Sequence, residues 1–220
     1  EELIQRKDTV VIYYHSTYWG EGIQILKQVK GKIIFRYFHI ASPESTEPYS
    51  SSYVLQCYKG QKQTIEFVEN FKNAYWVADS HFSLEDLNEV SEDRKAVCPI
   101  FNKADNLAGT KPEEVIMRNL LESGEVNVLF AGEMPPNKNH LKALNILRTY
   151  AINYGKKIKL RFIGKRNTGL NKYNESIVNF LDDFNLTETT EFIEEANDSE
   201  LLSYYLASDL LLCVSEYGDA

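Results

Sequence analysis

The sequence predicts an α/β protein made of two parallel-sheet units, and three observations carry that prediction. Short β-branched and aromatic runs alternate with runs of helical period. The joins between them are short. The alternation occurs twice, over residues 1–105 and more regularly over 125–220, on either side of a polar stretch at 106–124. Strands that alternate with helices pair in parallel through right-handed crossovers. Ligands of such sheets bind beyond the carboxyl ends of the strands, which here means Ser16, His39, Ser80, Gly132, Gly164 and Ser215.

In the first block, Thr9–Tyr14 (TVVIYY) has the composition of a buried strand. Gly22–Val29 follows as a helix that Gly31 ends, and Lys32–Phe38 is a second strand. A Ser/Pro/Glu-rich loop runs from Ala41 to Ser52, and a long helix from Tyr53 to Phe71. Ala74–Ala78 is a third strand, Ser83–Asp86 resembles a capping box opening a short helix, and Lys95–Ile100 is a fourth strand. Residues 106–124 hold Gly109, Pro112 and one short helical pattern at Glu113–Leu121, and read as the linker between domains.

In the second block, Val126–Ala131 is a strand and His140–Asn153 a helix with Leu141, Leu144, Ile146, Leu147 and Tyr150 on its apolar face. Lys159–Ile163 is the next strand, and Tyr173–Phe184 a helix with Ile177, Val178, Phe180, Leu181 and Phe184 at core spacing. Thr190–Ile193 is a short strand, Asp198 or Ser199 caps a helix through Ala207, and Asp209–Val214 is the last strand.

Composition excludes several classes. A net charge of −8 argues against non-specific nucleic-acid binding, which needs a basic face. No run approaches the roughly 20 apolar residues of a transmembrane helix. Cys57, Cys98 and Cys213 are odd in number and form no C-x-x-C, so they read as free buried thiols in a reducing cytoplasm. No two histidines have metal-ligand spacing on one helix. The polar, mixed-charge start beginning at Glu1 suits a partial or processed chain.

The most informative stretch is Ala131-Gly132-Glu133-Met134-Pro135-Pro136-Asn137-Lys138-Asn139-His140, a strand-to-helix turn. A helix start presents N–H groups and a partial positive charge, which favours phosphate, and Lys138 adds a full charge there. A plain β–α turn with a solvated Lys138 is the alternative reading.

Val128–Gly132 with Pro136-Asn137-Lys138 resembles the start of the donor-binding domain in family-4 retaining glycosyltransferases of the GT-B fold. Lys159–Gly164, Glu191–Ile193, Asp198–Tyr205 and Ala207–Glu216 are similar to that family's later donor-domain segments, in the same order. Trp76–Ser83 and Tyr37-Phe38-His39 resemble segments of its acceptor domain. The resemblance implies two Rossmann-like units facing a cleft, both incomplete here. It also implies donor contacts at Gly132, Asn137, Lys138, Gly164, Ser215 and Glu216, with Lys138 on the diphosphate. The family's usual Arg after the Gly is Glu133 here, which should point away from a bound diphosphate. The family's pair of donor-site glutamates would begin just after Ser215-Glu216 and is not assignable, so the 220 residues alone are expected to lack transferase activity.

His39 ends a strand ahead of a loop rich in hydroxyls and carboxylates (Ser42, Glu44, Ser45, Thr46, Glu47) and is the catalytic candidate, near the donor sugar by resemblance. His15 either caps a core or joins Tyr18 and Trp19 in an acceptor-side surface. His81 and His140 read as helix-surface residues, and Tyr204 and Tyr205 as packing residues.

The resemblance implies transfer of a sugar from a nucleotide-diphosphate donor to a glycan or lipid-linked acceptor with retention, as in polysaccharide biosynthesis. It implies no cofactor beyond that donor and no metal at the chemical step. The location would be cytoplasmic, with peripheral membrane contact for a lipid-linked acceptor. Two alternatives stand beside it: a non-catalytic glycan- or partner-binding module derived from such an enzyme, favoured by Glu133, and a sugar-nucleotide epimerase of the same architecture.

Overall fold

The computed structural model of the chain describes residues 2–100, 104–155 and 157–215. The chain divides into two units, Glu1–Phe101 and Asn102–Ala220, each built on a four-stranded parallel sheet.

The first unit contains β1 (Val10–His15), α1 (Gly22–Leu26), β2 (Lys32–Tyr37), α2 (Ser51–Asn70), β3 (Tyr75–Ala78), α3 (His81–Glu85) and β4 (Lys95–Val97). The strands lie in sequence order, β1-β2-β3-β4. Alternation along each strand sends Phe35, Tyr37 and Trp76 into the core with Phe67 of α2, and Phe35 stacks on Trp76 at 4.3 Å. The cap of α3 is Ser80, whose Oγ accepts from the Ser83 N–H at 3.1 Å, so Ser83–Asp86 is not the capping box. That correction leaves Asp86 free for another role. β4 is shorter than expected: the Cys98 N–H still reaches Ala78 O, but Pro99 has no N–H to continue the ladder.

The second unit contains α4 (Ala104–Ala108), α5 (Glu114–Leu121), β5 (Val126–Ala131), α6 (His140–Tyr154), β6 (Ile158–Ile163), α7 (Asn171–Asp183), β7 (Thr190–Ile193), α8 (Asp198–Ala207) and β8 (Leu210–Leu211). Its strand order is β7-β6-β5-β8. The stretch expected as a linker is packed into this unit. Leu120 is buried, Ser203 Oγ accepts from the Glu113 N–H at 2.6 Å, and Ser199 Oγ donates to Lys111 O. Asn197, one residue earlier than expected, caps α8 in a reciprocal box with Glu200. β8 is a short strand, extended one residue each way by Asp209 N–H to Asn127 O and Leu212 N–H to Leu129 O.

The core of this unit joins Val128, Phe130, Leu160 and Phe162 to Leu144 and Leu147 of α6 and Ile177 and Leu181 of α7. Ile146 and Val178, placed on the apolar faces by spacing, are 41% and 44% exposed, because the packed stripe runs through Ala143 and Tyr173 instead. A buried polar network braces the other face of the sheet. Asn127 Nδ2 donates to Leu120 O and Glu125 O, and its Oδ1 accepts from Arg161 Nη1 at 2.7 Å. Arg161 Nε pairs with Glu191 at 2.8 Å. Of the cysteines only Cys57 is buried; Cys98 and Cys213 are exposed, correcting the expectation of three buried thiols.

Candidate functional site

In the second unit the chain builds outward from β5 to β6 to β7, then returns across the sheet to place β8 on the other side of β5. Helical connections therefore diverge at the β5/β8 boundary, and beyond the carboxyl ends of these two strands lies the crevice where open α/β sheets bind ligands. The turn after β5 carries Gly132, Asn137 and Lys138, and the turn after β8 carries Ser215. They are close enough for the Lys138 charge to act on the Cys213 thiol. That thiol is held below its usual range first by the backbone N–H and then the hydroxyl of Ser215, with Lys138 adding to them. The fold thus gathers Lys138 and Ser215 at the switch point, from positions far apart in sequence. Glu216 lies outside the described residues.

Two glycines shape the floor. Gly132 has φ 139° and Gly164 φ 151°, backbone that side-chain-bearing residues rarely adopt. A Cβ on Gly164 would overlap the Gly132 carbonyl, so the β5 and β6 turns touch. Gly132 N–H reaches Ile163 O at 2.8 Å and Gly164 N–H reaches Ile193 O at 2.9 Å, carrying the ladder into both turns. An open groove of about 850 Å³ passes over them, lined by Glu133, Lys165, Glu194, Glu195, Asn197 and Tyr205 among others. Tyr205 is exposed there, and does not pack as expected.

The helix start differs from its sequence reading. Pro136–Lys138 forms a turn of 3-10 helix, Asn139 is left-handed at φ 64°, and α6 begins at His140. His140 is fully buried rather than on the helix surface: its backbone N–H donates to the Tyr173 hydroxyl at 3.0 Å, and the ring lies among Phe130 and Phe162. One first-turn donor is therefore spent inside the protein. Burial, with Lys138 nearby, lowers the His140 pKa to about 4. Glu133 is exposed, and its charge helps raise the Lys165 pKa, behind the larger effect of Glu195 bonded to Lys165 at 2.8 Å.

In the first unit His39 follows β2, and its Nδ1 donates to Asp86 Oδ2 at 2.9 Å. Tyr37, on the adjoining strand end, donates its hydroxyl to the same oxygen at 2.6 Å. Burial opposes ionisation of Asp86, but these two hydrogen bonds outweigh it and hold the carboxyl below its usual range. Asp86 is the partner that sequence reasoning missed, because it was assigned to a cap that Ser80 supplies. In the loop after His39, Ser45 and Thr46 spend their hydroxyls on Ser42 O and Pro43 O.

The other acceptor-side candidates are largely internal. His15 is fully buried, and its Nε2 lies 2.9 Å from Thr64 Oγ1. Thr64 donates to Gly60 O at 3.2 Å, so the imidazole Nε2–H is the donor and Nδ1 carries a lone pair with no hydrogen-bond partner. Burial lowers the His15 pKa to about 4. His15 thus sits in the core, between Thr64 and Phe67, away from any surface a substrate can reach. Trp19 is half-buried against Tyr13 and exchanges two backbone hydrogen bonds with the Gln63 amide, while Tyr18 lies under the Lys59 ammonium at 5.3 Å. Among the described residues no three His, Cys, Asp or Glu side chains gather as a metal site would require, and no helix is long and apolar enough to cross a membrane.

Residues 113–220 match the model of the family described as glycosyl transferases group 1, so the second unit carries that family's sequence pattern. No curated protein matches the chain by sequence. Among solved structures, the chain is similar to Anabaena Alr3699/HepE in complex with UDP and glucose (14% identity, TM-score 0.65, covering 88% of this chain and 49% of that one). It is also similar to an E. coli structure described as trehalose-6-phosphate bound with UDP-2-fluoro glucose (12% identity, TM-score 0.67, 96% and 53%). A third is sucrose-phosphate synthase from Thermosynechococcus elongatus (16% identity, TM-score 0.61, 92% and 49%). These likenesses establish the fold, two parallel α/β sheets as in GT-B glycosyltransferases, and the chain spans about half the length of the structures it matches.

Proposed function

We propose that this chain is part of a group 1, GT-B glycosyltransferase that takes its sugar from a nucleotide-diphosphate donor. The observation that carries the reading is the strand-order reversal at β5/β8, with Lys138 and Ser215 at the crevice, inside the segment that matches the family. The finer reading is retention of anomeric configuration, with a glycan or lipid-linked hydroxyl as acceptor. In the chemical step the bond from the anomeric carbon to the diphosphate oxygen breaks and a bond to the acceptor oxygen forms. The acceptor proton goes to the departing diphosphate. Lys138 stabilises the charge that develops on that leaving group, since a fixed cation placed where charge develops lowers the barrier. His39 hydrogen-bonds the donor sugar or acceptor, oriented by Asp86. Donor-side contacts come from Gly132, Asn137, Gly164, Ser215 and Glu216.

The exposed Glu133 at this turn favours a second reading, a binding module that has lost turnover. The complete gene product, incubated with nucleotide sugars and mixed glycan and lipid acceptors, should release nucleotide. Lys138→Ala and His39→Ala should each slow that release. Nucleotide binding without release supports the binding module, and absence of both contradicts the proposal.

A further inference from the structure

The end of β2 delivers two side chains to one carboxylate oxygen. The Phe38 N–H donates to His15 O at 3.0 Å, so strand geometry carries past Tyr37, the last residue of β2. Alternate residues of a strand point to one side. Phe38 turns to one face, where its ring stacks on Tyr14 at 6.0 Å, and Tyr37 and His39 turn to the other. Positions four apart on a helix also share a face. In this way α3, with the residue that ends it, presents Phe82 and Asp86 to the same imidazole. Phe82 meets the His39 ring edge-on at 4.8 Å, and Asp86 Oδ2 accepts from its Nδ1 at 2.9 Å. The Tyr37 hydroxyl donates to that same Oδ2 at 2.6 Å. Tyr37 is set in the core, with its ring against Trp76 and His15. Asp86 is not: its side chain is 38% exposed, so water competes for the carboxylate.

We infer that Tyr37 is a positioning residue for His39, acting through Asp86. An ionised carboxylate only accepts, so both hydrogen bonds on Oδ2 come from donors, the Tyr37 O–H and the imidazole Nδ1–H. A histidine's tautomer is set by the hydrogen bond one of its nitrogens makes. The neutral His39 ring is therefore held as the Nδ1–H tautomer, with the lone pair on Nε2. The ligand group that Nε2 recognises is then a hydroxyl that donates to it, not a carbonyl or carboxylate. Tyr37 supplies the buried donor that keeps a partly exposed carboxylate turned towards the ring. Without that hydroxyl the carboxylate turns to water, and the two tautomers mix. That the recognised hydroxyl belongs to the donor sugar or the acceptor rests on the proposed function; the state of the ring does not.

The test is nitrogen NMR of the complete gene product carrying isotopically labelled histidine, at a pH where the His39 ring is neutral. The His39 signals are identified by their loss in His39→Gln. The wild-type ring should show Nδ1 protonated and Nε2 bare. Tyr37→Phe keeps the buried ring and removes only the hydroxyl, and should give a mixture of both tautomers. Asp86→Ala should do the same. The double variant should match Asp86→Ala alone, because groups that act through one another are not additive. Circular dichroism checks that each variant folds, and should Tyr37→Phe misfold, Asp86→Ala carries the decision. In the nucleotide-release assay, Tyr37→Phe should slow turnover, and should change nothing further in the Asp86→Ala background. An Nε2–H tautomer in the wild type, a ring left wholly Nδ1–H by either substitution, or a further change in the double variant would overturn the inference. The expected spectra in a protein that transfers no sugar would uphold the positioning role and contradict the proposed function.

Discussion

The contact between the β5 and β6 turns makes Gly164→Ala a sharp perturbation. A methyl group there overlaps the Gly132 carbonyl and comes within 3.1 Å of Glu133 N, and the backbone at φ 151° disfavours any side chain. Gly132→Ala supplies the control. Its φ of 139° is equally unsuited to alanine, yet its added methyl would meet no atom within 4 Å. Backbone strain alone costs about 1–3 kcal/mol, which sets the expectation for Gly132→Ala. Gly164→Ala adds an overpacking cost of about 1–3 kcal/mol. Separating the turns also strains the Gly164 N–H to Ile193 O bond. Gly164→Ala should therefore be the more destabilising by about 1–3 kcal/mol. Urea unfolding followed by far-UV circular dichroism measures both. Trp19 and Trp76, the protein's two tryptophans, lie in the first unit, so their fluorescence reports whether that unit is unaffected. Equal losses for the two variants, or a Gly164→Ala loss under about 0.5 kcal/mol, would refute the close approach.

Two further predictions concern the interior. Asn127→Ala removes the acceptor for Arg161 and the donor to Leu120 O and Glu125 O, and should cost about 2–4 kcal/mol by leaving buried groups unpaired; unchanged hydrogen exchange in α5 would contradict this. His15 and His140 are buried with pKa values lowered to about 4. The unfolded chain takes up protons near the ordinary value of about 6.5 while the folded chain does not, so stability is full above about 6.5 and falls as pH drops towards 4. Each histidine contributes up to about 3 kcal/mol to that loss. Tryptophan fluorescence follows His15 and circular dichroism the whole chain; His15→Leu or His140→Leu should flatten the respective slope between pH 6.5 and 4.5. An unchanged slope would contradict the burial assignments. Asp86, held low, adds its own loss only below the ordinary carboxylate range, so the two effects separate by pH.

Much of this architecture is legible in the residues. Strands such as Thr190–Ile193 announce themselves because composition and flanking turns agree, and the Gly132–Lys138 turn is visible as a strand-to-helix punctuation. What local pattern does not carry is pairing at a distance. Ser80 rather than Ser83 caps α3, because both offer a hydroxyl and only the chain's path out of β3 selects between them. Asp86 meets His39 across 47 residues, and no spacing encodes that. His140 looks like a helix-surface residue until Tyr173 comes to lie beside it. The linker reading of 106–124 failed for the same reason, since the Ser203 and Ser199 hydroxyls that anchor Glu113 and Lys111 are some 90 residues away.

The central claim is that a nucleoside diphosphate binds at the β5/β8 crevice through Lys138, and calorimetric titration of UDP and GDP tests it most directly. Loss of a charge-assisted contact costs about 1.5–3 kcal/mol, so Lys138→Ala should weaken binding by roughly 10- to 150-fold. Lys142→Ala, on the exposed part of α6, should leave it unchanged. Absence of binding by both nucleotides, or equal affinity with and without the Lys138 ammonium, would contradict the account.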